Sequence, residues 1–235
     1  MPLMLTLRAK RGNFMHFEIL VEDASGKMML EQIVPKIIGP KGKPNQYRII
    51  NIQELKHRMM AQMDRQLART LPWDKILFQT LSMQLRAYSK TQPYKNMVIV
   101  IVVDLDCRNQ KRFQSELETL FHLPTPALDG GITVAVEEGE AWLFGDLDAV
   151  RRAYPLSKEF VLQSYRQDSV CGTWEFLADA VFHGGAEALT ALGYPLIGRE
   201  KCRWAENIAQ YVDVEKNKSP SFQTFRSLLQ RWADV

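Results

Sequence analysis

The chain alternates between short, wholly apolar runs and longer stretches in which apolar residues return every three or four positions. Residues 97–103 (MVIVIVV) are apolar on both faces. Such a run marks a strand in the middle of a sheet covered by helices on each side. His16–Val21 (HFEILV) reads as a first strand, 47–52 as a second and 131–136 as another. Between the first two, Leu30, Ile33, Val34, Ile37 and Ile38 recur at helical spacing, with Asp23 or Ser25 able to cap the start and Gly39–Pro40 to stop the helix. A helical stretch after residue 52 breaks near Leu71–Pro72–Trp73 and resumes through Ile76, Leu77, Leu81 and Leu85; a further helix covers 110–121. Strand and helix in this order predict an α/β fold with a mainly parallel sheet flanked by helices.

Beyond Tyr154 the pattern is helical only. Trp174, Leu177 and Val181 share one helix face, and Trp204, Ile208 and Tyr211 another. The last helix starts at Ser219–Pro220, a cap followed by proline in the first turn, and carries Phe222, Phe225, Leu229 and Trp232. The expected division is an α/β core at 14–154, with a basic helical insertion near 53–90, and a C-terminal helical lobe at 155–235 packed on the core.

Of the 235 residues, 46% are hydrophobic and 24% charged, enough apolar surface for a substantial core and incompatible with a disordered chain. No apolar run approaches the roughly 20 residues of a membrane-spanning helix, and the first residues lack the apolar stretch of a secretion signal. Cys107, Cys171 and Cys202 are far apart and match neither a zinc spacing nor a disulfide framework. A cytoplasmic protein is expected.

The net charge of +3 conceals an asymmetry. Residues 35–95 hold twelve Lys and Arg against three Asp and Glu, whereas 97–148 hold three against ten. A basic stretch beside an acidic one suits chemistry on phosphates through a cation, although solvated helix faces also carry charge in blocks. In open α/β sheets ligands bind beyond the carboxyl ends of the strands. Three expected strands end there in acid: Glu22 and Asp23; Asp104 and Asp106; Glu137, Glu138 and Glu140. Carboxylates gathered from separate strand ends repel unless a cation neutralises them. Magnesium takes oxygen ligands and keeps several waters, so two or three carboxylates suffice. Each acidic group alone is an ordinary turn or cap; their coincidence is what points to a site. Lys27 and Lys75 can reach phosphate, with a plain surface lysine as the competing reading. The four histidines lie in unrelated segments, no Gly-x-Ser-x-Gly elbow occurs, and the basic loop at 39–45 lacks the phosphate-loop pattern.

The segments EDASGKMMLE (22–31), VDLD (103–106) and EEGEAWLFGD (137–146) resemble the bacterial domain of unknown function 4276 family, as do GTWE (172–175), the segment 201–205 and NKSPSF (217–222). The resemblance covers nearly the whole chain. It implies a Toprim-like core, in which a Glu after the first strand serves as general acid or base and an Asp-x-Asp after a later strand binds magnesium. By motif position Glu22 matches the former, and Asp104 and Asp106 the latter. Many Toprim nucleases carry another Glu four residues after the first, where this chain has Gly26; Glu138 or Glu140 is the candidate for the missing ligand. Relatives are often encoded beside an ATPase in settings that look like phage defence.

The resulting expectation is a Mg2+- or Mn2+-dependent nuclease cutting DNA or RNA with an ATPase partner. Asp104 and Asp106 hold the cation, Glu138 or Glu140 completes its shell, and Glu22 orients or deprotonates water or binds a second ion. Lys27, Lys41, Lys43, Arg48 and Lys75 contact the nucleic-acid backbone, with Tyr47, Trp73 and Tyr88 interleaved in the basic segment. The rival expectation is a non-catalytic Toprim-like sensor or assembly module of such a system.

Overall fold

The computed structural model describes residues 15–233 except 43, 61–71, 92, 94–95 and 170, and it describes no side chains at 57–60. Four strands, β1 (His16–Val21), β2 (Gln46–Asn51), β3 (Met97–Asp104) and β4 (Gly130–Ala135), form one sheet in the order β2-β1-β3-β4, parallel throughout. The register aligns Val21 with Asn51 and Val102, and Asp104 with Ala135. The acidic residues following β1, β3 and β4 therefore emerge along one edge.

Helix α1 (Ala24–Ile38) connects β1 to β2, α2 (Ile52–Met60) and α3 (Trp73–Thr91) lead to β3, and α4 (Gln110–His122) connects β3 to β4. Asp23 caps α1 by accepting from the Gly26 N–H at 2.7 Å, and Asn109 caps α4 by accepting from the Arg112 N–H at 3.0 Å. The strand alternation divides the interior into two layers. Phe17, Ile19 and Val21 join Val98, Val100 and Val102 against α1, while Leu20 joins Met97, Ile99, Ile101 and Val103 beneath Leu77, Leu81, Leu85, Phe113 and Leu117. Residues 97–103 are apolar throughout because each face of β3 has its own helical cover.

The remaining helices are α5 (Glu140–Phe144), α6 (Leu147–Ala153), α7 (Glu159–Ser164), α8 (Thr173–Val181), α9 (Gly185–Ala191), α10 (Tyr194–Ala209) and α11 (Pro220–Ala233). They share a continuous apolar core with α1 and the sheet, in which Trp142 stacks on Phe225 at 5.0 Å and Trp204, Ile208 and Phe222 are fully enclosed. Lys36 of α1 ties the layers together, its ammonium donating to the carbonyls of Ala209, Gln210 and Val212 at the C-terminal end of α10. Asn217 forms a second fastening: its amide donates to the Trp142 carbonyl at 2.7 Å and its side-chain oxygen accepts from the Ser219 N–H at 3.0 Å. Ser219 and Ser221 in turn bond to the Asp168 carboxylate. Among the described residues, no helix is long and apolar enough to cross a membrane.

Candidate functional site

Local geometry places each acid at the carboxyl edge. Glu22 follows β1 directly and is 7% exposed. Both of its oxygens are held, Oε1 by the Trp73 indole N–H at 2.6 Å and Oε2 by the Asp104 backbone N–H at 3.0 Å. The first contact comes from the start of α3 and the second from the end of β3, so the Glu22 carboxylate joins neighbouring strands to the helical layer. Burial pushes Glu22 up to about 7; the two hydrogen bonds and Arg108 pull it down, and Asp106 pushes it up.

Asp104 is the last residue of β3. Burial first, then Glu22, Asp23 and Glu140, push its carboxyl well above the usual range, with Lys201 opposing. Asp106 sits in the following turn at φ +49°, its N–H donating to the Glu137 carbonyl at 2.7 Å and its carboxylate paired with Arg108 at 2.9 Å. Arg108 also donates to the carbonyls of Asp104 and Leu105 and pairs with Asp74 at 2.6 Å. It is the brace of this loop.

After β4 the three glutamates part company. Glu137, in left-handed backbone at φ +76°, accepts from the Thr173 hydroxyl at 3.2 Å. Glu138 and Glu140 turn to the ammonium of Lys201 on α10, at 3.7 and 3.3 Å, and Glu138 also accepts from the Trp174 N–H at 3.1 Å. Burial and Glu140 push Glu138 up to about 8 despite Lys201 and that N–H. Burial raises Glu140 too, against the pull of Lys201. Burial pulls the Lys201 ammonium down, yet Glu140, Glu138, Asp23 and Asp104 together hold it well above its ordinary value. A single lysine thus faces carboxylates from all three strand ends.

Cys107 and Cys171 are joined by a disulfide with Cα atoms 5.6 Å apart, and Cys202 is free. This corrects the expectation of three unconnected cysteines. Spacing along the chain cannot reveal the pair, because it is the tertiary packing of the loop after β3 against the loop before α8 that brings them together.

The basic candidates are dispersed. Lys27, in the first turn of α1, lies 3.7 Å from Glu54, and Lys75 is exposed in the first turn of α3. Both belong to the edge that carries the acids, as does Lys56, whose ammonium lies 4.8 Å from the Trp73 ring centre. Lys41 precedes β2 at the opposite edge, 5.9 Å from the Tyr47 ring centre. Arg48 is engaged within the sheet by Glu18 at 2.8 Å, which also accepts from the Tyr88 hydroxyl at 2.7 Å. Lys43 and the part of the basic insertion at 61–71 lie outside the described residues.

Glu22, Asp104, Glu138 and Glu140 therefore converge, with Asp106 on the rim beside Arg108. Among the described residues, no three His, Cys, Asp or Glu side chains are arranged to hold one metal ion as they stand. Sequence reasoning missed Lys201 and the role of Trp73. The signal for Lys201 was its place in the segment 201–205, one of those carrying the family resemblance; Trp73 was expected among the aromatics of the basic segment, and its indole N–H instead holds Glu22.

The molecule is thus a parallel α/β protein whose carboxyl edge gathers acids from three strands around a lysine from a C-terminal helix. It belongs to the family described as Domain of unknown function (DUF4276), whose model matches residues 21–230. No curated protein and no solved structure matches the chain.

Proposed function

We propose that this protein is a divalent-metal-dependent nuclease of Toprim-like type, hydrolysing phosphodiesters of DNA or RNA in the cytoplasm as part of a bacterial anti-phage system with an ATPase partner. The observation that carries the reading is the convergence of Asp104, Glu138 and Glu140 on one lysine, with Glu22 beside Asp104 and all four raised above the ordinary carboxylate range. Carboxyl groups in that condition hold protons because their charge is incompletely compensated. Their all-oxygen donor set fits a hard cation such as Mg2+ or Mn2+.

Asp104 and Asp106 would hold the ion, with Glu138 or Glu140 completing its shell; when bound, the ion supplies Lewis-acid stabilisation of charge developing on the phosphoryl group. Glu22 acts on water. With its carboxyl near 7 and both oxygens oriented, it is poised to accept a proton at neutral pH. Lys201 fixes Glu138 and Glu140. Lys27, Lys56 and Lys75 supply positive charge on the acidic edge for the phosphate backbone, and Lys41 extends it only by a path around the sheet.

The test is cleavage of single- and double-stranded DNA and RNA with Mg2+ or Mn2+, comparing the parent with Asp104→Ala. Cleavage by the parent and none by a folded variant is expected. Full activity in a folded Asp104→Ala protein would overturn the reading.

One observation favours the rival reading of a non-catalytic module. A Cβ at Gly26 would lie 2.6 Å from Val21 Cγ2, so the position that holds a second Glu in many Toprim nucleases resists any side chain here. Purification with an ATPase partner and no cation affinity would decide for it.

A further inference from the structure

The cysteines at 107 and 171 lie on two loops that both build the acidic edge, one residue after Asp106 and two before Thr173. The first loop already leans on the glutamate segment through the Asp106 N–H to the Glu137 carbonyl, at 2.7 Å. The second holds the same segment, through the Thr173 hydroxyl to Glu137 and the Trp174 N–H to Glu138. A bond between the cysteines closes this arrangement into a ring around residues 137–138. Both cysteines are exposed, so small oxidants and dithiol reductants can reach them, and Cys202 lies apart on α10.

We infer that Cys107 and Cys171 form a reversible redox pair whose oxidation clamps the Asp104–Asp106 loop onto the glutamate segment, so that thiol oxidants regulate the acidic site. This regulatory role rests on reading the acidic edge as the functional site. The bond does not. Oxidation takes two thiols and one hydroperoxide to a disulfide, an alcohol (water, for hydrogen peroxide) and one further water. Two electrons leave the sulfurs as S–S forms and the O–O bond breaks. A dithiol returns two electrons and two protons, becoming a disulfide itself. The clamp acts between two turns in left-handed backbone, Asp106 at φ +49° after β3 and Glu137 at φ +76° after β4, the second a conformation that glutamate rarely adopts.

The experiment treats the full-length protein with hydrogen peroxide or dithiothreitol, maps disulfides by differential alkylation and mass spectrometry, and follows amide hydrogen exchange. Peroxide should give a Cys107–Cys171 linked peptide with Cys202 free. Exchange at residues 105–108 should slow by about five-fold or more. Dithiothreitol should reverse both, and Cys107→Ser and Cys171→Ser should exchange like the reduced parent under either treatment. Free thiols at 107 and 171 after peroxide, or a linked peptide with unchanged exchange, would overturn the inference. Mn2+ titration of both forms scores the metal reading separately: absence of binding in either form defeats that reading, while the exchange data still decide the clamp.

Discussion

Replacing Lys201 with Met tests the electrostatic heart of the site without adding a polar group or much changing volume. The ammonium lies 3.3 Å from Glu140 and 3.7 Å from Glu138. Coulomb's law at an effective dielectric of about 20 gives attractions of about 5 and about 4.5 kcal/mol at these distances. Desolvation of the buried ions returns several kcal/mol, and breaking such a cluster by removing one partner costs about 3–5 kcal/mol. The loss is greater at pH 8, where the Glu138 carboxyl, pushed up to about 8, is about half ionised, than at lower pH. At pH 5.5 Glu138, near 8, already holds its proton, so Lys201→Met should cost less than at pH 8. The assay is urea denaturation followed by circular dichroism at both pH values, with the parent alongside. With a slope of about 2–3 kcal/mol/M the pH 8 midpoint falls by about 1–2 M. A loss below about 0.5 kcal/mol at both values, or a greater loss at pH 5.5, would refute the argument.

The other predictions concern pH, the hydrogen-bonded frame and the packing behind it. The folded protein keeps protons on Glu22 and Glu138 that the unfolded chain releases near 4.5, so the folded state of the parent loses stability as pH rises from about 4.5 to 8; Glu22 alone accounts for about 3 kcal/mol. Denaturant titrations across that window should show the decline, and a flat profile would contradict it. Trp73→Phe removes the N–H on Glu22 Oε1 and should raise the Glu22 pKa further, read by carboxyl infrared or NMR titration. Tyr88→Phe removes one of the donors to the wholly buried Glu18 and should cost about 2 kcal/mol in urea denaturation. Gly145→Ala would place a Cβ 1.9 Å from Asn217 Oδ1, an atom already held by the Ser219 N–H, and should lower stability by about 1–3 kcal/mol in the same assay.

The strands were legible because their alternation is a local property. The double-faced run at 97–103 announced a central parallel strand, and β3 pairs with β1 on one side and β4 on the other. The acids at the carboxyl edge were legible for the same reason, since Glu22 and Asp104 stand at the ends of their strands and parallel topology puts those ends together. What compensates them was not local. Lys201 arrives from a helix of the C-terminal lobe, which was expected to pack on the core but not to enter the site, and Trp73 reaches Glu22 across 51 positions. Arg48 looked available for phosphate, yet Glu18, an acid inside an otherwise apolar strand, holds its guanidinium. A buried charge needs a partner, and that demand gives the Glu18 position its sequence signal in retrospect. Residues 137–140 looked like a strand end. Instead, the left-handed turn at Glu137 ends the strand and sends Glu137 away from Glu138 and Glu140.

The central claim, that the acidic edge is a cation site, is tested most directly by calorimetric titration of Mn2+ into the parent and Asp104→Asn proteins, each with and without a short oligonucleotide. The account predicts binding by the parent that is lost in the folded variant. No binding by the parent under either condition, or equal binding by both proteins, would contradict it.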